Sequence, residues 1–358
     1  MGGPGDPPGG TPEGAPGGGE DEYRSVVFDE SFIRAARLQE NSARERITDH
    51  APAVRPRPPL HRRSRLPRQA MILVLLIAVA FGTAVYMGVR QPYGGLSGSH
   101  PAEPLRMTVV PLAPRGEVPG AHDPDVLFAH SPAAQFRVGA EGVPLPPARR
   151  TSHFSDGQVL TALSTAKDYI VRSALDPDVL AGGNVRPVRL LLDTGQLHQF
   201  DESFERPAAD GRHSPTGWLV RLDPARAELA DSGIRVQGSM RAAETDSATL
   251  EVTADHTTVY ALRPTGADRG SEASLFTVRR ELRFRFDRED LRLHQAQLLV
   301  SYVQAGPLSC AEDTTGRLRP LLAGQTAEEG GPADTDPYVT GSATALCGSL
   351  ARSALPRV

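Results

Sequence analysis

From Ala70 to Val89 the chain reads AMILVLLIAVAFGTAVYMGV, an apolar run with no charged residue and no polar stripe. Twenty residues at 1.5 Å rise make about 30 Å of helix, the thickness of a bilayer's hydrocarbon core. A helix buried in a water-soluble fold keeps a polar face, and this one has none. The run therefore predicts a transmembrane helix at 70–89. Ala78-Val79-Ala80 resembles a signal-peptide cleavage site, but nearly seventy residues precede the run and it continues well past Ala80. An uncleaved signal-anchor is the better reading.

Beyond the run the periods shorten. Residues 90–104 (RQPYGGLSGSHPAEP) form a stalk, and 105–305 carry the pattern of one folded domain. LRMTVVPLA at 105–113 reads as a first strand. SDGQVLTALSTAKDYIVRSAL at 155–175 is the clearest helix: Ser155 or Asp156 caps it, and Val159, Leu160, Leu163, Ala166, Tyr169 and Ile170 make its apolar face. VRLLLD at 188–193 reads as a strand and 196–205 as a short helix. A series of strand patterns follows at 217–223, 234–242, 249–264, 275–287 and 291–304. In RELRFRF, Leu282, Phe284 and Phe286 alternate with Arg283 and Arg285, as in a half-buried antiparallel strand. Helices first and hairpins afterwards predict an α+β domain, with helices packed on a curved antiparallel sheet. That order fits a cystatin/NTF2-like cone. Residues 306–358 are poorer in apolar side chains and read as a C-terminal tail held mainly by a disulfide.

Upstream of the anchor, residues 1–21 are Gly, Pro and acid, with almost nothing to bury, and predict disorder. Residues 22–47 (EYRSVVFDESFIRAARLQENSARERI) change character. Asp29 and Ser31 are N-cap candidates, and Phe28, Phe32, Ile33 and Leu38 supply the large apolar groups of a short amphipathic helix. Such a helix is too small to fold alone. It reads as a docking motif for a cytoplasmic protein partner, through Phe28, Asp29, Phe32, Ile33 and Leu38. Residues 48–69 are a Pro/Arg-rich linker that cannot be helical.

Charge sets the topology. Residues 1–22 carry net −5, 23–69 net +6 and 90–358 net −5. Arg55, Arg57, Arg62, Arg63, Arg65 and Arg68 precede the apolar run, whereas Arg90 alone follows it before Arg106. Basic flanks stay inside, which places the N-terminus in the cytoplasm and residues 91–358 outside the cell membrane. Those six arginines read as a membrane-surface patch for anionic headgroups. No aromatic residue is interleaved among them and no folded basic face is predicted, so nucleic acid is not an expected partner. Small residues at Ala80, Ala84 and Gly88 would permit helix–helix pairing, hence a homo-oligomer through the anchor.

Candidate chemistry is sparse. Cys310 and Cys347 are the only cysteines, both on the predicted outer side, and read as one disulfide. No ligand spacing for zinc or calcium occurs, and neither a metal nor another cofactor is expected. Leu191-Leu192-Asp193-Thr194-Gly195 matches the active-site turn of aspartic proteases, where two carboxylates share a proton. The segment reads as a strand ending in a turn, where Asp and Gly are ordinary. No G-x-S-x-G elbow supports a Ser/His/Asp triad. Asp-Pro-Asp-Val-Leu at 123–127 and 176–180, and His-Ser-Pro at 130–132 and 213–215, read as recurring turn chemistry. No catalytic residue is assigned.

The segment EYRSVVFDESFIRAARLQENSARERI followed by a Pro/Arg spacer and one anchor resembles the cytoplasmic portion of actinobacterial, especially streptomycete, single-pass membrane proteins. TGWLVRLDPAR and VSYVQAGPLSCAED carry the resemblance through the exterior part. It implies a relation to membrane proteins that take part in spore-wall synthesis. The expected function is a non-enzymatic scaffold of the cell envelope. An extracytoplasmic sensor or ligand-binding module is the alternative, and an exterior hydrolase the third.

Overall fold

The computed structural model describes residues 72–81, 102–268, 270–328, 331, 334–339 and 346–358. The chain separates into two units, 1–90 and 91–358. In the first, residues 72–81 are helical and their apolar side chains are all exposed, from Ile77 at 54% to Phe81 at 72%. Among the described residues no helix is long and apolar enough to cross a membrane. The remainder of the 70–89 run, the 1–21 tail, the 22–47 motif, the 48–69 linker and most of the stalk lie outside the described residues.

The second unit is α+β and is built around a nine-stranded mixed sheet. Its strands are β1 (Arg106–Ala113), β2 (Arg137–Val138), β3 (Ala227–Leu229), β4 (Arg235–Asp246), β5 (Thr249–Pro264), β6 (Ser274–Phe286), β7 (Gln297–Gly306), β8 (Asp334–Thr335) and β9 (Gly348–Leu350). The order across the sheet is β2-β4-β5-β6-β7-β1-β9-β8, with β3 paired to β5. The expectation of a purely antiparallel sheet needs correction. Strands β4 to β7 are antiparallel hairpin neighbours, but β1 runs parallel to β7 and to β9, and β8 parallel to β9. A strand from the start of the domain joins the far side of the meander and is reached only by a long connection, so no hairpin geometry fixes its direction.

The helices are α1 (Pro124–Ala129), α2 (Asp156–Ala174), α3 (Pro177–Leu180), α4 (Arg186–Arg189), α5 (Leu197–Glu205), α6 (Pro215–Trp218) and α7 (Arg288–Leu293). Ser155 closes a capping box on α2: its hydroxyl accepts from Gln158 N–H, and Gln158 Oε1 accepts from Ser155 N–H at 2.9 Å. The buried positions of α2, among them Val159, Leu163, Ala166, Tyr169 and Ile170, repeat at helical spacing and face the sheet. The repeated pentapeptide does the same job twice. Asp123 and Asp176 each cap a short helix by accepting from the N–H two residues on, with Pro at the first helical position.

Two expected strands are absent. Residues 188–193 are the end of α4 and a turn, with Leu192 in a single bridge to Ala296. Residues 217–223 begin inside α6 and make one isolated bridge, from Leu222 to Leu318, outside the named strands. Apart from the exposed Leu190, the apolar side chains of both runs are buried by packing in the core rather than by strand pairing. Residues 291–304 also divide: α7 ends at Leu293, His294 takes a left-handed conformation (φ 55°), and β7 begins at Gln297.

Even-numbered residues of β4, β5 and β6 share the inner face. There Val236, Leu250, Val252, Tyr260, Leu282, Phe284 and Phe286 meet α2 in the main core. The outer face is covered by two small clusters that share Tyr338. Leu127, Phe128 and Ala133 pack on Val259, Ala261 and Leu275 in one, and Leu350 and Ala354 on Val110 and Leu112 in the other. Arg283, further along β6 from both clusters, is exposed, whereas Arg285 is buried by Gln297 and Glu103.

Cys310 and Cys347 are bridged, with Cα atoms 5.8 Å apart. The bridge is not the main restraint on the C-terminal segment. Leu308, Leu318 and Leu322 belong to the main core, Leu318 N–H donates to Arg221 O at 2.7 Å, and β9 pairs with β1.

Candidate functional site

Of the residues singled out from sequence, Phe28, Asp29, Phe32, Ile33 and Leu38 lie outside the described residues, as do Arg55, Arg57, Arg62, Arg63, Arg65 and Arg68. The cysteine pair is brought together. Among the described residues no group of three or more His, Cys, Asp or Glu side chains is placed to hold a metal ion.

Asp193 lies in a turn, as its neighbours suggest. Its Oδ1 accepts from Gly195 N–H at 2.7 Å and caps a 3-10 turn at 194–196. A second carboxyl, from Asp290 of α7, hydrogen-bonds to it in space. Asp290 is 1% exposed, and its Oδ2 accepts from Asp287 N–H at 3.0 Å. Burial, reinforced by the charges of Asp287 and Asp193, pushes the Asp290 carboxyl up to about 8. Each carboxyl thus holds a backbone N–H and the other carboxyl. The pair stitches the 193–196 turn to the start of α7.

The inner face carries a buried cation that sequence reading missed. Arg280 shares strand parity with Leu282 and Phe284, so it must point into the core. Its Nη1 donates to Ser173 Oγ at 2.8 Å and its Nη2 to Trp218 O at 2.7 Å. Tyr169 OH also donates to Trp218 O, at 2.7 Å. Among the described residues no carboxylate pairs with Arg280, and burial pulls its guanidinium below the ordinary value. His256 stands opposite Arg280 in register. Burial first, and the Arg280 charge second, pull that imidazole down to about 3, so it is neutral at physiological pH. The network ties α2 and α6 to the sheet.

The outer face beyond these two clusters is open and polar. Odd-numbered residues point there, and Arg279 is the centre. Its fork meets Asp255 twice, both bonds at 2.9 Å, and Nη2 also reaches Glu281 at 2.7 Å. Nη1 donates to Val339 O at 2.8 Å. Burial lowers the guanidinium's proton affinity, but the Asp255 hydrogen bonds and the two carboxylate charges outweigh it and hold the group above its ordinary value. The segment 336–339 is docked beside it. Thr257 Oγ1 donates to Pro337 O at 2.9 Å, and Thr277 and Tyr338 hydroxyls meet at 3.0 Å. The Tyr338 ring stands edge-on to Phe136 at 5.7 Å.

These groups bound a cavity of about 180 Å³ that is also lined by Gln237, Gly238 and Ser239 of β4. A second hollow of about 270 Å³ lies along β4 and β5 and shares Ser239 and Asp255 with the first. Gly238 has inner-face parity, and a Cβ there would stand 2.5 Å from His256 Cβ. In VQGSMR and TADHTT, alternation marks Gln237, Ser239 and Asp255 as outward-facing. Which outward face stays uncovered depends on where 121–136 and 334–354 come to rest, and no local pattern encodes that. No protein family model, no curated protein and no solved structure matches this chain.

Proposed function

We propose that the chain is a non-enzymatic, single-pass membrane scaffold of a bacterial cell envelope. In this reading residues 22–47 dock a cytoplasmic partner, 70–89 cross the membrane, and the domain that follows faces cell-wall or spore-wall assembly. The observation that carries it is the helix at 72–81, whose apolar side chains are exposed on every side. A helix that is apolar all round needs a non-aqueous surrounding, and the arginines before it give the direction. The helical layer of α2 across a curved sheet is compatible with a cystatin/NTF2-like cone.

A second reading, an exterior binding module, is favoured by the open trough on the outer face. The two are compatible, since a scaffold must hold something. Reporter fusions after Val358 test the topology. A reporter active only in the cytoplasm should be silent, and one active only outside should work. A protease-accessible N-terminus on intact protoplasts would overturn the reading.

A further inference from the structure

The upper cavity of the trough, about 180 Å³, has room for about six waters. It is smaller than the roughly 300–1,000 Å³ of drug-sized sites, so one six-membered ring is the size it takes. Its walls differ in chemistry. Phe136 and Tyr338 set two aromatic rings at one side, a surface that suits the C–H face of a sugar ring. Gln237 and Ser239 are exposed at the other side, and among the described residues their side chains have no hydrogen-bond partner. An amide and a hydroxyl offer both donors and acceptors, as a polyol requires. Asp255 adds a fixed acceptor. Arg279 locks its orientation, yet its side chain remains 28% exposed.

Charge narrows the class. Among the lining residues Asp255 and Arg279 cancel in the first cavity, and Glu251 and Arg241 cancel in the second. No surplus charge attracts a phosphate or carboxylate ligand. The guanidinium is 3% exposed in its side chain and already bonded on both sides, so it has no free face for an anion. An ammonium ligand is also poorly served, because the nearer carboxylate is engaged by Arg279 through both oxygens. A neutral hydroxylated ring fits what remains. The second hollow, sharing Ser239 and Asp255 with the first, supplies a place for the next ring of a chain. We infer that the trough along β4 and β5 binds a neutral, hydroxylated sugar chain, with one ring seated against Phe136 and Tyr338. This names the exterior partner of the scaffold and rests on that reading for where the glycan comes from.

The test uses the full chain in a detergent without a sugar headgroup. Glucose, N-acetylglucosamine and their β-linked tetramers are titrated by calorimetry and saturation-transfer NMR, with choline and inorganic phosphate as charged probes. Saturable binding of at least one sugar is expected, and its tetramer should bind about tenfold or more tighter than its monomer, because two hollows are filled. Gln237→Ala with Ser239→Ala should weaken that binding about tenfold at an unchanged unfolding temperature, since both side chains are exposed. Absence of saturable sugar binding overturns the inference. So does sugar binding that the double variant leaves intact, or choline or phosphate binding that the same variant abolishes. The topology reporters decide the scaffold separately: correct topology without sugar binding sinks the glycan site alone, whereas sugar binding with a cytoplasmic C-terminus sinks the scaffold alone.

Discussion

Asp290→Asn should stabilise the protein at pH 8 and leave it unchanged near pH 4. Asp290 is 1% exposed and holds its proton up to about 8, against 3.8 for an ordinary aspartate. In the folded state the Asp290 carboxyl meets that of Asp193, and its Oδ2 accepts from Asp287 N–H at 3.0 Å. An asparagine reproduces that pattern, with Nδ2 donating and Oδ1 accepting. The sign follows from linkage. Between about pH 4 and pH 8 the folded chain keeps a proton that the unfolded chain has released, so stability falls as pH rises across that window and levels off above it. Asparagine does not titrate, so the variant escapes the fall. At about 1.4 kcal/mol per unit, the difference at pH 8 is on the order of 2–5 kcal/mol. For a domain of this size that corresponds to roughly 5–15 °C in unfolding temperature. Thermal unfolding followed by circular dichroism at pH 4.5, 6, 7.5 and 8.5 measures it. Two curves separated by a constant offset, or a variant less stable than wild type at pH 8, would refute the claim that Asp290 is the proton-bearing member of the pair.

Arg280→Met removes the donor to Ser173 Oγ and Trp218 O, and should cost about 2–4 kcal/mol through the loss of two buried charge-assisted hydrogen bonds; an unchanged denaturant midpoint would count against the network. Cys310→Ser with Cys347→Ser opens a closure of 37 residues and should lower stability by about 3–4 kcal/mol on the chain-entropy model, while the packing of Leu318 and Leu322 keeps the segment folded at low denaturant. Linked peptides should appear by mass spectrometry under thiol-blocking conditions, and alkylation of both sulfurs without reduction would contradict the bridge. Phe28→Ala with Phe32→Ala should abolish recruitment of the cytoplasmic partner, measured by proximity labelling from the N-terminal tail, with membrane insertion intact; wild-type labelling would remove the docking motif from the scaffold proposal.

Periodicity alone determined the long elements. The caps and faces of α2 and the alternation through β4, β5 and β6 are local properties, set by 3.6- and 2-residue periods that any burial must respect. Parity even carried the unread signal for Arg280, which shares its face with Leu282, Phe284 and Phe286. The runs at 188–193 and 217–223 were not decided locally, because a short apolar stretch is equally at home in a buried strand or a buried turn of helix. Pro187 and Pro215, early in α4 and α6, were the signals for helix. The direction of β1, the pairing of β9 with it, the meeting of Asp193 with Asp290 and the trough beside Arg279 all join residues far apart in the chain. They depend on which surfaces bury each other once the sheet exists. A sequence read position by position holds no such information, so only the tertiary structure could decide them.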